Sequence, residues 1–190
     1  MGVKSKLDDN ILIDKILSGD QTACRHLVER HKEYAFTIAY QILRNRENAE
    51  EAAQDAFIQA FKNMSSFNRQ SKFTTWFYRI VFNAALTIKR RQKTIIEDID
   101  TASMIADETT AGEDMQQRDQ QFYIQKALGQ LSAEDAAIII LFYLQEQSLE
   151  EIAQITGQTT NNAKVRLHRA RQRLALVLDT LLKRETRSLL

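Results

Sequence analysis

A chain of 190 residues holds one medium domain or two small ones, and 44% hydrophobic with 27% charged residues is the balance of a soluble globular protein. No proline and only five glycines leave few turn formers for a many-stranded sheet, while Ala, Leu, Gln, Glu, Lys and Arg favour helix, so an all-α fold is expected. The net charge of +1 indicates no general affinity for nucleic acid, the single Cys24 excludes an internal disulfide, and the longest apolar run, Ala136 to Leu144, is far shorter than the roughly 20 residues of a membrane span.

A short helix is expected over Asn10 to Leu17. From Asp20 onward Leu27, His31, Tyr34, Ile38 and Ile42 recur at three- and four-residue spacing, one face of a long helix. Glu47 to Lys62 repeats the pattern with Ala49, Ala52, Ala53, Ala56 and Ala60 beside Phe57 and Phe61, small enough for close approach to a neighbouring helix. Its other face carries Glu51, Gln54, Asp55, Ile58 and Lys62. Met64 to Lys72 reads as a polar loop around Phe67. Phe73 to Arg91 reads as a helix with the apolar stripe Phe77, Ile80, Val81, Ala84 and Ile88, and with Trp76, Arg79, Asn83, Thr87 and Arg90 on a second face. These helices form a first bundle.

From about Thr94 to Gln117 the helical periodicity is lost and Asp, Glu, Thr and Ser accumulate, the signature of a linker. Periodicity returns near Phe122 and continues through Ile124, Ala127, Leu128 and Leu131, opening a second bundle. Ser132 and Ser148 read as helix N-caps, the latter in the capping box Ser148-Leu149-Glu150-Glu151. Ser148 to Ile155, the turn at Gly157 and Thr160 to about Leu182 have the layout of a helix-turn-helix DNA reader. Ala163, Leu167, Ala170, Leu174 and Val177 form its inward stripe, which leaves Asn161, Lys164, Val165, His168 and Gln172 facing outward.

The average charge hides two basic blocks. Lys72 to Lys93, with Arg79, Lys89, Arg90 and Arg91, contains no acid, and neither does Lys164 to Arg173, with Arg166, Arg169 and Arg171. Between them Glu97, Asp98, Asp100, Asp107, Glu108, Glu113, Asp114 and Asp119 are opposed only by Arg118. Aromatic and basic residues sharing the second face of the Phe73–Arg91 helix suit single-stranded DNA, on which bases stack and phosphates are neutralised.

Three blocks carry a family resemblance. Leu131-Ser132-Ala133-Glu134-Asp135, Ser148-Leu149-Glu150-Glu151-Ile152-Ala153 and Ala163 to Arg171 resemble the C-terminal promoter-reading domain of extracytoplasmic-function (ECF) sigma factors, group 4 of the sigma-70 family. Asn48 to Phe57 is similar to the family's polymerase-binding helix, and Phe73 to Asn83 to its promoter-melting helix. The resemblance implies two helical bundles joined by an acidic flexible linker. Residues 8–93 would bind core polymerase and melt the −10 element, 94–120 would be the linker, and 121–183 would read the −35 element. It implies that Glu51, Gln54, Asp55 and Ile58 dock on core RNA polymerase. It also implies −10 contacts from the loop Phe67, Asn68, Arg69, Gln70, Ser71 and Lys72 and from Trp76, Arg79, Asn83, Lys89, Arg90 and Arg91, with a flipped base held between that loop and Asn83. At −35, Lys164, His168 and Arg169 would read bases with Thr160, Asn161 and Val165 beside them, while Arg166, Arg171 and Arg173 hold phosphates. The acidic linker would occupy a basic polymerase channel, and an anti-sigma protein is an implied partner.

Two departures from the family pattern stand out: serine replaces proline after Leu131, and Thr160-Asn161-Asn162-Ala163 opens the recognition helix, which leaves the DNA preference open. No phosphate-binding glycine loop, helical histidine pair or nucleophile elbow supports an enzyme. No cofactor or metal is expected, since His26, His31 and His168 lack ligand spacing. An ordinary helix-turn-helix regulator accounts for Ser148 to Leu182 equally well, but not for the second basic, aromatic helix; a helical adaptor accounts for neither basic block. A cytoplasmic protein without membrane insertion is expected, because the basic start leads to Leu7-Asp8-Asp9-Asn10 rather than to an apolar signal core.

Overall fold

The computed structural model describes residues 8–98 and 115–188. Of the acidic run, Asp100, Asp107, Glu108, Glu113 and Asp114 lie outside the described residues. The described residues are helical, without strands. The first bundle comprises α1 (Asp9–Leu17), α2 (Gln21–Leu43), α3 (Arg46–Lys62), a 3-10 turn (Met64–Ser66) and α4 (Phe73–Asp98). The second comprises α5 (Met115–Gln130), α6 (Ala133–Tyr143), α7 (Leu149–Thr156) and α8 (Thr160–Ser188). Helix α4 runs seven residues beyond Arg91, and α5 begins seven residues before Phe122. Neither extension contains a glycine or proline to stop a helix.

Side chains set most helix starts. The Asp20 carboxylate accepts the amides of Thr22 and Ala23 at α2, the Asn45 amide oxygen accepts from Asn48 at α3, and Ser132 accepts from Asp135 at α6. Ala49, Ala52, Ala56 and Ala60 of α3 are buried, and this small-residue face lets α2 and α4 pack close on either side. His31 is buried on the inner face of α2 among Phe73, Phe77 and Tyr78, with its Nε2 3.1 Å from an Asp9 oxygen, whereas Tyr34, expected on the same stripe, is exposed.

The two bundles share one continuous core. Helix α6 packs on α2 as well as on α7 and α8, and α7 packs on α4. Ala136 to Leu141 are therefore all buried, which explains an apolar run without a polar face. The same packing buries Thr75, Tyr78, Phe82 and Ala85 on α4, a second buried face beside the expected Phe77 and Val81.

Candidate nucleic-acid and polymerase interfaces

On α3 the side opposite the alanine face is open: Glu51, Gln54, Asp55 and Ile58 are exposed together, and Ile58 presents half of its surface to solvent. An aliphatic side chain ringed by carboxylates and an amide has the anatomy of a protein-docking surface, apolar at the centre and polar at the rim.

The loop before α4 is more anchored than its sequence suggests. Phe67, expected among the DNA contacts, is buried because its ring packs edge-on against Phe73 at 5.9 Å and against Trp76 at 5.3 Å, pinning the loop to the first turn of α4. Asn68 accepts a bond from the amide of Gln70, and Arg69, with φ of 60°, pairs with Asp14 of α1. Asn68, Arg69, Gln70 and Lys72 are exposed and Ser71 partly so. Trp76 is half-buried against the core, while Arg79, Asn83, Lys89, Arg90 and Arg91 are exposed along α4. At about 1.5 Å per residue, Asn83 stands about 15 Å beyond Phe73. Through Phe67 the loop reaches α4 as far as Trp76, two turns before Asn83.

Helix α7 begins with the reciprocal box read from its sequence: Ser148 Oγ accepts from the Glu151 amide at 3.2 Å, and Glu151 Oε2 accepts from the Ser148 amide at 2.7 Å. It ends at Gly157, whose φ of 69° needs a residue without Cβ strain. Thr159 Oγ1 accepts from the Asn162 amide and so caps α8. Ala163, Leu167 and Ala170 are buried, and Thr160, Asn161, Lys164, Val165, His168, Arg169 and Gln172 are exposed over the first turns of α8. Arg171 lies over the rings of Phe142 and Tyr143 at 5.6 and 5.9 Å. Arg166 and Arg173 have partners within the chain. Arg166 Nε donates to Asp135 at 3.0 Å while its terminal nitrogen pairs with Glu134, and Arg173 donates to the other Asp135 oxygen at 2.5 Å. Burial alone would raise the Asp135 pKa, but bonds from Arg166, Ser132 and Arg173 hold the carboxyl below its ordinary value.

Polar links cross between the bundles. Lys72 pairs with Glu151 Oε1 at 2.9 Å, and the Tyr78 hydroxyl donates to Gln145 at 3.1 Å, where burial raises the pKa of the phenol. Arg44, in the left-handed region at the C-cap of α2, donates to the Leu128 carbonyl in the last turn of α5 at 2.6 Å, a favourable place for a cation. Lys89 donates to the Ile42 carbonyl; its pKa is lowered by burial and by the nearby Arg44, against an attraction from Glu134. The sequence reading missed Asp135 and Arg44. An acid in the first turn of α6 after Ser132 was visible, but nothing local told its partners.

With this geometry in view, the relatives are informative. The Sigma-70 region 2 model matches residues 27–95 and the Sigma-70 region 4 model residues 121–174. The chain is 30% identical over 172 residues to the ECF RNA polymerase sigma factor SigW of Bacillus subtilis, covering 85% of this chain and 92% of the relative. The chain belongs to the ECF family of RNA polymerase sigma factors. It is also 30% identical to ECF sigma factor SigM of Mycobacterium tuberculosis, over 95% of this chain and 89% of that one. Among solved structures, sigma factor RpoE of Bartonella quintana in complex with the anti-sigma factor NepR aligns with a TM-score of 0.66 at 25% identity, covering 82% of this chain and 96% of that chain. CnrH in complex with the cytosolic domain of CnrY shares the fold, with a TM-score of 0.66 at 23% identity and coverage of 90% and 97%. No helix among the described residues is long and apolar enough to cross a membrane.

Proposed function

We propose that this ECF sigma factor binds core RNA polymerase through the exposed face of α3, engages the −10 element along α4 and reads the −35 element with α8. The observation that carries the reading is that one chain exposes three surfaces of distinct chemistry: an acidic face with an apolar centre, a basic and aromatic strip, and a basic helix-turn-helix. In the −10 step Arg79, Lys89, Arg90 and Arg91 hold the strand backbone, Asn83 reads a base edge, and Asn68 to Lys72 with Trp76 meet nucleotides at the other end of the strip. At −35, Lys164, His168 and Arg169 read base edges, with Thr160, Asn161 and Val165 alongside and Arg171 on phosphate.

Reading both elements at once requires the bundles to part. About 25 base pairs at about 3.4 Å each put the elements roughly 85 Å apart, whereas a packed body of this chain length has a radius of gyration of about 16 Å. An anti-sigma protein, the kind of partner named for the Bartonella relative, is the expected repressor, acting in the cytoplasm.

The test mixes the purified chain with core polymerase lacking its own specificity subunit and scores run-off transcription from genomic fragments. Transcription that depends on the chain, and that falls with Asp55→Arg together with core affinity, supports the assignment. A helix-turn-helix regulator would bind DNA but give no transcript with core enzyme.

A further inference from the structure

Asp135 is 2% exposed, yet it takes guanidinium bonds from two arginines seven residues apart, two turns on one side of α8. Its backbone amide is tied to Ser132 in the cap of α6, so the carboxylate is fixed to one helix while gripping another. Both oxygens are used, Oδ1 by Arg166 and Oδ2 by Arg173, a bridge that opposes rotation of α8 about its axis and sliding along it. Glu134 takes a second nitrogen of Arg166. Moving either guanidinium to a phosphate would take from a buried carboxylate one of its two counter-charges, an unfavourable exchange. The outward residues His168 and Arg169 lie within this clamped span and Lys164 half a turn before it, so their direction depends on it.

We propose that Asp135 is a positioning residue for −35 reading: Arg166 and Arg173 serve the Asp135 clamp that orients the recognition helix and make no phosphate contact. This rests on the function proposed above. It divides the basic residues between Lys164 and Arg173 into two sets, Lys164, Arg169 and Arg171 available to DNA and Arg166 and Arg173 engaged by Asp135, although the Arg173 side chain is 61% exposed and all five sit in one uninterrupted basic block of the sequence.

The experiment measures binding of the full chain with core polymerase to promoter DNA as a function of salt, on a matched and on a scrambled −35 sequence. Each phosphate contact contributes about 0.9 to the slope of log affinity against log salt. Lys164→Ala, Arg169→Ala and Arg171→Ala serve as controls that report direct contact, through the slope or through the matched-to-scrambled ratio. Arg166→Ala and Arg173→Ala should leave the slope of the wild type unchanged while reducing the matched-to-scrambled ratio several-fold. Asp135→Asn should reduce that ratio by about tenfold, again at constant slope, and adding Arg166→Ala to it should cost little more because both act through one clamp. A slope that falls by about one in either arginine variant overturns the proposal, as does a gain in promoter affinity in Asp135→Asn, which would make the carboxylate a competitor of DNA. If Asp135→Asn does not fold, the slopes of the two arginine variants still decide. Loss of −35 dependence in the wild type itself would instead sink the functional reading, and this proposal with it.

Discussion

Asn83 is the residue on which −10 reading is most cleanly tested, because its side chain is exposed on α4 and makes no hydrogen bond among the described residues, while its carbonyl accepts from the Thr87 hydroxyl. Asn83→Ala should leave the melting temperature and polymerase affinity nearly intact. Loss of an amide–base hydrogen bond should weaken binding to single-stranded −10 DNA by about 1 to 1.5 kcal/mol, close to tenfold; equal affinity on matched and altered −10 strands would remove it as a reader. Trp76 does not allow so clean a test, since its ring supports Phe67 and Phe73. Three carboxylates make stability depend on acid. Burial works to raise the pKa of each, but Asp9 is held below the ordinary 3.8 by His31 and Arg30, Asp135 below 3.8 by Arg166, Ser132 and Arg173, and Glu151 below 4.5 by the Ser148 amide and Lys72. A depressed folded pKa gives stability that is complete above the unfolded value and is lost as pH falls through the folded one. The urea midpoint should therefore hold from neutral pH to about 5 on account of these groups and decline below it, Glu151 contributing first. Asp135→Asn should flatten the lower end of that decline.

At the scale of the element, the helix-turn-helix stands on few residues. A Cβ placed on Gly157 would meet nothing within 4 Å, so Gly157→Ala carries only the backbone cost of a left-handed residue, about 1–2 kcal/mol. For a chain of this size that is about 2–4 °C of melting temperature per kcal/mol. Gly157→Asn should cost less, and an alanine variant as stable as wild type would mean the turn relaxes to another conformation. Helices α2, α3 and α7 were legible in the sequence because their information is local: apolar spacing, cap residues and, for α7, a reciprocal capping box. Helix α4 was half legible. Its Phe77 and Val81 stripe follows from spacing, but burial of Thr75, Tyr78 and Phe82 depends on α7 lying across them, and an amphipathic pattern names an apolar face without naming its cover. The pairing of Arg166 and Arg173 with Asp135 was not legible for a related reason: a basic helix and a carboxylate 31 and 38 residues away give no local sign that they meet.

Considered whole, the molecule holds α4 and α8, the helices proposed to face DNA, in one packed body. Helix α6 is the joint, buried by α2 on one side and by α7 and α8 on the others, so parting the bundles uncovers aliphatic surface on α6 and on the Tyr78 face of α4. Exposing apolar surface costs about 25 cal/mol per Å². On the proposed function, the packed form is the resting state of the free chain, and binding energy from polymerase and DNA drives separation. Fluorophores on Lys62→Cys and Gln172→Cys, in a Cys24→Ser background, should transfer energy efficiently in the free chain and lose most of that transfer when core polymerase and promoter DNA are added together. Transfer that stays constant would mean that the bundles engage DNA while still packed.

Glu151 divides its two oxygens between the bundles: Oε2 closes the cap of its own helix and Oε1 pairs with Lys72 of the other bundle. Parting the bundles removes the partner of one oxygen and leaves the other in place. Amide hydrogen exchange should register this asymmetry. In the complex with polymerase and promoter, the amides in the first turn of α7 should keep their slow exchange, because the bond that holds them belongs to the helix itself. Those at the end of α5, where the Leu128 carbonyl loses Arg44, should exchange faster. On the proposed function, the two reading helices are in this way released from one another without either having to refold.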